Sequence, residues 1–457
     1  TLTMSLLSLM LITNFTFAQS TANYTFSTNN NGTLAQDMNG NAVDMTSGST
    51  SLLPAGTDDT SSPLTNIGFD FFFMGSRQSQ FAVSDNGILR LGATVTTNLY
   101  AIPSTTQMLI TAFANDKRVG TDGVIRYKVV GSAPNRTLVV EYNNIMVGYI
   151  STAAAGTGTW QMRLYETSGV IEYVYGSMNT NTAVSNYIVG FSNNTTLNNI
   201  VTVNTVANTA STSATVTTNA LVASSTIPEL TSASDGSRRF YRFTAPVPTA
   251  PSALNFTTVT TSGMTLNWTD NSTELGFAIY RSDDGGTVYN YVTTAAANAV
   301  SSAQSGLLPG VTYFWRVYAV SEGGLSSVLA GSQATVAGST ISSNGTGGGD
   351  WSLGASWTGG VVPGAADNVL IKNGDVINVN QAATINALTV GEGVSGTLTF
   401  DGTSRTLIIA NGITVATGGN MNAGAANITH ILNIGGSTAT GLGTGSLTVD
   451  GAFDGYV

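Results

Sequence analysis

The chain has 457 residues, with 15 Lys and Arg against 25 Asp and Glu, a formal net charge of −10 and only 9% charged residues, where an ordinary soluble domain carries about 25%. With no cysteine and a single histidine, His430, it cannot build a thiolate or multi-histidine metal site, a cysteine nucleophile or a disulfide framework. Fifteen basic residues at this length exclude the basic footprint that nucleic-acid binding needs.

The length fits about three domains, and 42% hydrophobic residues are ample for their cores. Ser, Thr, Asn and 52 Gly therefore do the solubilising that charge does elsewhere, a habit of secreted β-rich proteins. Residues 2–12 are an apolar run closed by the small residues Thr16 and Ala18, the pattern of a signal peptide over 1–18. The run is broken by Thr13 and Asn14 and falls short of the roughly 20 apolar residues of a membrane span. Export by this signal and no transmembrane segment in the mature chain are the expectations, which place the protein outside the cell or on its outer surface. The far end, Gly-Ala-Phe-Asp-Gly-Tyr-Val457, stops in mid-pattern, and further sequence is expected beyond it.

From 20 to 245 the signals are short strands and turns. Trp160-Gln-Met-Arg-Leu-Tyr165 and Val170-Ile-Glu-Tyr-Val-Tyr175 both alternate around Glu166-Thr-Ser-Gly169, which predicts a hairpin with one buried face. Phe69-Asp-Phe-Phe-Phe73, Phe81-Ala-Val83, Ile88-Leu-Arg-Leu91, Ile125-Arg-Tyr-Lys-Val129, Leu138-Val-Val-Glu-Tyr142 and Tyr187-Ile-Val-Gly-Phe191 are further strands. Asp85-Asn-Gly87 is a tight-turn signal, because Asn-Gly tolerates positive φ. No segment carries helical periodicity with caps, so the expectation is a β-sandwich or jelly roll. The Thr/Ser/Ala-rich stretch 205–225 is predicted as edge strands or a mobile loop.

Ala245-Pro-Val-Pro-Thr-Ala-Pro251 is an extended joint. Beyond it Met264, Leu266 and Trp268 alternate with polar residues, and Leu308-Pro-Gly-Val-Thr-Tyr313 opens the strand Phe314-Trp-Arg-Val-Tyr-Ala-Val320. An early-strand Trp and a Leu-Pro-Gly-x-x-Tyr corner frame an immunoglobulin-like sandwich. Residues 248–337 resemble a fibronectin type III domain on both anchors, and the resemblance implies that Trp268 and Tyr313 are core residues. The absence of an Arg-Gly-Asp tripeptide means that no specific partner carries over.

Residues 338–350 are Gly- and Ser-rich and are predicted as a flexible linker. Over 351–457, Leu388-Thr-Val390, Leu398-Thr-Phe400, Leu407-Ile-Ile409, Ile413-Thr-Val415, Leu432-Asn-Ile434 and Leu447-Thr-Val449 recur between Gly and Asn. Each triplet points two apolar side chains inward, and stacked rungs bury a core that no single rung could, so a right-handed parallel β-helix or solenoid opens here. Trp351 and Trp357 would cap its first rung. The order of signal, sandwich, fibronectin type III domain and solenoid resembles the large secreted surface proteins of Bacteroidota. The strands around Phe81 and Val139 are similar to the N-terminal β-module of those proteins.

Candidate chemistry is sparse. Polysaccharide cleavage on a solenoid needs paired carboxylates or a base beside a cation. From Trp351 onward the acidic residues are Asp367, Asp375, Glu392, Asp401, Asp450 and Asp454, most beside Gly or Asn, where Asp builds turns. Asp450 and Asp454 are the pair to watch. His430 has no second ligand or carboxylate near it in sequence and is expected to be structural. Asp58-Asp59 and Asp283-Asp284 could bind calcium weakly, but solvated turns explain them better. Asn135-Arg-Thr and Asn194-Thr-Thr are chance glycosylation triplets. Tyr100, Tyr149 and Asn115-Asp116 lie in or near predicted loops where a sandwich lectin could hold a glycan, but nothing in their spacing sets them apart from core or turn residues, and no binding site is assigned. No catalytic, cofactor or metal residue is assigned. The expected function is non-catalytic adhesion to glycans or surface proteins. The alternative is an accessory part of a polysaccharide-degrading enzyme whose catalytic rungs lie beyond Val457.

Overall fold

The structure is a computed structural model that describes residues 20–96, 107–149, 151–179, 186–193, 200–213, 216, 218–220, 227, 230, 238–422, 431–434, 446–449 and 452–454. Apart from three single-turn 3₁₀ segments, its regular elements among the described residues are all β-strands. The expected signal peptide, Tyr100, Asn194, His430 and Asp450 fall outside them.

The first module is a sandwich of two antiparallel sheets. One sheet runs, in spatial order, Thr25–Gly32, Arg238–Thr244, Ile171–Met178, Gly158–Tyr165, Thr137–Met146, Arg118–Val130 and Thr50–Leu53. The other runs Thr209–Ser213, Ile200–Asn204, Asn186–Ser192, Leu109–Ala114, Leu89–Leu91, Ser76–Val83 and Thr65–Phe73, with Asn219–Ala220 paired to its third strand. Thr209–Ser213 thus makes the low-complexity stretch, where described, an edge strand. One apolar cluster fills the space between the sheets, with Tyr142 stacked on Trp160 at 4.8 Å and Phe113 on Tyr187 at 4.5 Å.

The predicted hairpin forms with Leu164 opposite Ile171 and Met162 opposite Tyr173. Its second face is not solvated, as the alternation implied. Gln161, Arg163 and Glu172 are buried because the chain at 33–37 crosses over them. Arg163 donates to Thr33 O at 2.7 Å and Gln36 O at 2.9 Å, and Gln161 Nε2 to Leu34 O at 3.2 Å. Beneath this strap a ladder of opposite charges crosses the strands, from Arg126 to Glu141 at 2.6 Å, and from Arg163 (3.2 Å) and Arg242 (2.6 Å) to Glu172. Pairing is what makes burial of these charges tolerable.

The fibronectin-type domain packs a three-stranded sheet (Ser252–Thr257, Gly263–Thr269, Ser301–Ser305) against a four-stranded one (Asn290–Ala296, Gly276–Ser282, Thr312–Val320, Leu329–Ala334). Trp268, Trp315 and Tyr313 are buried between them, and Tyr313 Oη accepts from Leu308 N at 2.7 Å, the corner that the motif implied. This domain is seated on the first module. Phe72 packs with Ala278, Val320 and Leu325, Tyr280 Oη donates to Asp70 at 3.0 Å, and Arg77 both pairs with Asp70 at 2.7 Å and lies over the Tyr291 ring.

The last segment is a solenoid of parallel strands in two sheets. One contains Thr340–Ser342, Asn368–Ile371, Ala383–Val390, Thr406–Val415, Ile431–Ile434 and Ser446–Val449. The other contains Gly348–Asp350, Val376–Val379, Thr397–Phe400, Asn420–Asn422 and Ala452–Asp454. The triplets supply the inward residues, with Leu388, Val390, Leu398, Leu407 and Ile413 at 0–1% exposure. Residues 338–350 are therefore not a flexible linker but the first coil, since Thr340–Ser342 pairs with Asn368–Ile371 and Gly348–Asp350 with Val376–Val379. Buried Asp375 is the physical reason: it accepts from Ser343 Oγ, from Gly345 N at 2.7 Å and from Gly347 N at 2.7 Å. Gly345 and Gly347 turn around it at φ +77° and +112°, a conformation in which glycine is favoured. Trp351 and Trp357 lie edge to face inside this coil, with Trp357 Nε1 donating to Trp351 O at 2.9 Å.

Candidate functional site

One end of the first sandwich brings together four loops that carry Asp, Asn and Lys side chains. The Asp85-Asn-Gly turn closes the hairpin of Ser76–Val83 and Leu89–Leu91, with Ser84 N bonded to Ile88 O at 2.8 Å and Gly87 at φ +84°. Beside it lies the 115–117 turn that joins Leu109–Ala114 to Arg118–Val130 across the two sheets. The 57–60 loop docks on both, through Thr60 N to Asp85 Oδ1 at 3.0 Å and the Arg118–Asp58 pair at 2.6 Å. Residues 147–149 and 151–156 close the set, with Asn115 Nδ2 bonded to Val147 O at 2.9 Å and Arg118 to Ser151 O at 2.9 Å.

Three groups that the sequence offered only as loop or turn residues thus lie on neighbouring loops: Asp58-Asp59, Asn115-Asp116 and, 39% exposed on the fourth loop, Tyr149. The residues that the sequence did not single out are Asp85, as more than a turn former, and Lys117. Both are fully buried. A signal existed, because Asn115-Asp-Lys-Arg118 is a dense run of charge in a chain so poor in it. Burial, with the nearby Asp58 adding to it, raises the Asp85 carboxyl to about 6 against the pull of the Thr60 N–H. Burial likewise raises Asp116, helped by Asp59 and Asp58. Burial drives the Lys117 ammonium well below its ordinary range, although Asp85 and Asp116 oppose that. The end of the sandwich is therefore an acidic rim over a buried amine. Among the described residues no group of three His, Cys, Asp or Glu is arranged to hold a metal ion.

The other candidates do local work. Asp283 pairs with Arg281 at 2.6 Å, and Asp284 accepts from Val288 N at 3.0 Å and Thr287 N at 3.1 Å. On the solenoid, Asp367 accepts from Ser339 Oγ at 2.6 Å and Gly364 N at 2.9 Å. Asp401 pairs with Arg405, and Glu392 accepts from Asn373 N at 3.3 Å. Of Asp454 only the backbone, in its rung, is described. A cleft between the first two modules is lined by Asn23, residues 246–249 and 271–275, Ser321 and Glu322. Its two buried carboxylates are engaged internally, Glu274 with Asn298 N at 2.7 Å and Glu322 with Asn23 Nδ2. It presents no acid–base pair.

Comparison with known proteins follows the same division. A family model described as NIDO related matches residues 14–245, just over half of the chain, and the chain belongs to that family. A fibronectin type III model matches residues 249–332 and a G8 domain model residues 356–434. All three are β modules of the extracellular type. Among solved structures, one described as FN3tt is 20% identical over 20% of this chain and 95% of its own, at a TM-score of 0.18. A fibronectin type III domain of human collagen XX is 27% identical over 20% of this chain and 91% of its own, at a TM-score of 0.17. No curated protein matches the chain. No helix among the described residues is long and apolar enough to cross a membrane.

Proposed function

We propose that the chain is a non-catalytic attachment protein of the cell surface, binding glycans or surface proteins through the loop end of its first module. The observation that carries this reading is the convergence of four loops on one end of a rigid sandwich, with a half-exposed tyrosine on the same set of loops as an acidic rim. Loops on a fixed scaffold are where binding groups concentrate, and a tyrosine face with hydrogen-bonding carboxylates suits a polyhydroxylated ligand. The run of extracellular-type modules supports it, as does the arrangement of the described solenoid carboxylates, which hold turns. In this reading the protein reaches the surface by its leader, as in the Bacteroidota surface proteins whose module order it resembles. The NIDO-related module contacts the ligand, and the other two hold it away from the cell.

The test is binding of the purified chain to a glycan array and to whole cells, with Tyr149→Ala and Asp116→Ala as variants. Tyr149→Ala should weaken binding by roughly tenfold or more, the effect of losing one stacked aromatic contact of about 1.5 kcal/mol. Release of oligosaccharides by the purified chain would overturn the reading.

A further inference from the structure

Lys117 is a buried amine whose surroundings are those of a reactive group. Its Nζ has no ion-pair partner among the described residues and lies 5.0 Å from the Phe113 ring centroid and 5.5 Å from that of Trp160. It donates to Phe113 O at 2.5 Å, Asn86 O at 3.0 Å and Asn115 O at 3.4 Å. Its backbone N–H donates to Asn86 Oδ1 at 3.1 Å, so the lysine runs alongside Asn86 from main chain to tip. Asn86 is 1% exposed, and among the described residues its Nδ2 finds no acceptor. Next to it, Asp85 gives Oδ1 to Thr60 N and leaves Oδ2 buried without a partner among the described residues. Gly87 completes the packing, since a Cβ there would stand 2.7 Å from Lys117 Nζ.

We propose that Lys117 and Asn86 become joined in the folded protein by an intramolecular isopeptide bond, with Asp85 as the proton carrier. Desolvation is a recognised way to turn a lysine into a neutral nucleophile, and the burial that lowers the amine and raises the carboxyl favours the neutral pair. The Lys117 tip lies on the Asn86 main-chain oxygen and the Asn86 carboxamide on the Lys117 backbone N–H, so a turn of the lysine tip toward the Asn86 side-chain carbon is the motion that the reaction requires, to the roughly 3–3.5 Å of a near-attack conformer. The amine adds to Asn86 Cγ, and the Asp85 carboxyl protonates the oxygen that becomes negative. Asp85 then takes a proton from the attacking nitrogen and delivers it to Nδ2. The Cγ–Nδ2 bond breaks as the hydroxyl proton returns to Asp85, and one ammonia leaves. Lysine amine and asparagine carboxamide thus give a secondary amide and ammonia, with no oxidant or cofactor. The product removes both anomalies at once, the buried ionisable amine and the unpartnered Nδ2.

The experiment is tryptic mass mapping of the purified full chain. The bond predicts a branched species linking the 78–90 peptide to the peptide containing Lys117, with no cleavage after Lys117 and a mass lower by one ammonia, about 17 Da. Asp85→Asn, which keeps an acceptor for Thr60 N, should yield a folded chain without the branch and at full mass. Separate, unmodified Asn86 and Lys117 peptides from the folded wild-type chain would overturn the proposal. A branch to Asn115 instead would overturn the choice of partner, and a branch that persists in Asp85→Asn would overturn the part given to Asp85. The wild-type map decides the main point even if Lys117→Met does not fold.

Discussion

Glu172 is the residue on which the covered face of the first sandwich turns. It holds two guanidinium groups, Arg163 at 2% side-chain exposure and Arg242 at 29%, and also accepts from Tyr165 Oη at 2.7 Å. Removing one partner of a buried pair leaves an uncompensated charge, so Glu172→Ala should cost about 3–5 kcal/mol in urea denaturation. Arg242→Ala, at the wetter end, should cost about 1 kcal/mol or less. Equal losses would place the energy elsewhere. Asp85 gives a pH signature of its own. Its folded pKa, about 6, lies above the ordinary 3.8, so the folded state holds the proton more tightly than the unfolded one. Stability from this group is complete below about pH 4 and is lost as pH rises to 6, by on the order of 2–3 kcal/mol. Asp85→Asn should flatten that slope, and a wild-type slope of opposite sign in the same window would refute the assignment.

At the scale of elements, the first coil of the solenoid depends on Asp375 because its second strand, Gly348–Asp350, is Gly-Gly-Asp and offers no apolar side chain to pack. The Ser343 hydroxyl and the Gly345 and Gly347 amides more than offset the burial that would raise its carboxyl, and hold it below the ordinary carboxylate range. Asp375→Ala orphans both amides and should cost about 2–4 kcal/mol, read as an earlier solenoid transition in calorimetry. An unchanged transition would return residues 338–350 to the status of a linker. Composition could not have distinguished the two, because a Gly/Ser run looks the same whether it is free or wrapped around one carboxylate 28 to 30 residues further on. The triplet rungs were legible for the opposite reason: Leu398 and Ile413 show their inward period locally. So was the Tyr313 corner, whose bond spans five residues. The Arg163 ladder was not legible. Its alternation is that of a half-exposed strand, and the strap that covers it comes from about 127 residues earlier. The candidate site was half legible: its loops announced themselves by Asp and Asn, but their meeting depends on pairings across 25 to 60 residues.

For the whole molecule, the extended joint at 245–251 and the linker expected at 338–350 give way to modules that touch one another. Tyr280, Asp70 and Arg77 lock the first two. Across the solenoid an asparagine ladder links Asn368, Asn386 and Asn411 at 2.7 Å per step, and Asn411 reaches Pro309 O of the fibronectin-type domain at 3.4 Å. Tyr280→Ala should therefore split one shared unfolding transition of the first two modules into two, seen by calorimetry. On the proposed function, these contacts between modules would carry load from the loop end to the solenoid. The most direct test of that account is adhesion of cells or coated beads to a glycan-bearing surface, comparing wild type with Tyr149→Ala. The account predicts adhesion by the wild type and its loss in the variant, with both chains equally folded. Equal adhesion by the two chains would contradict it.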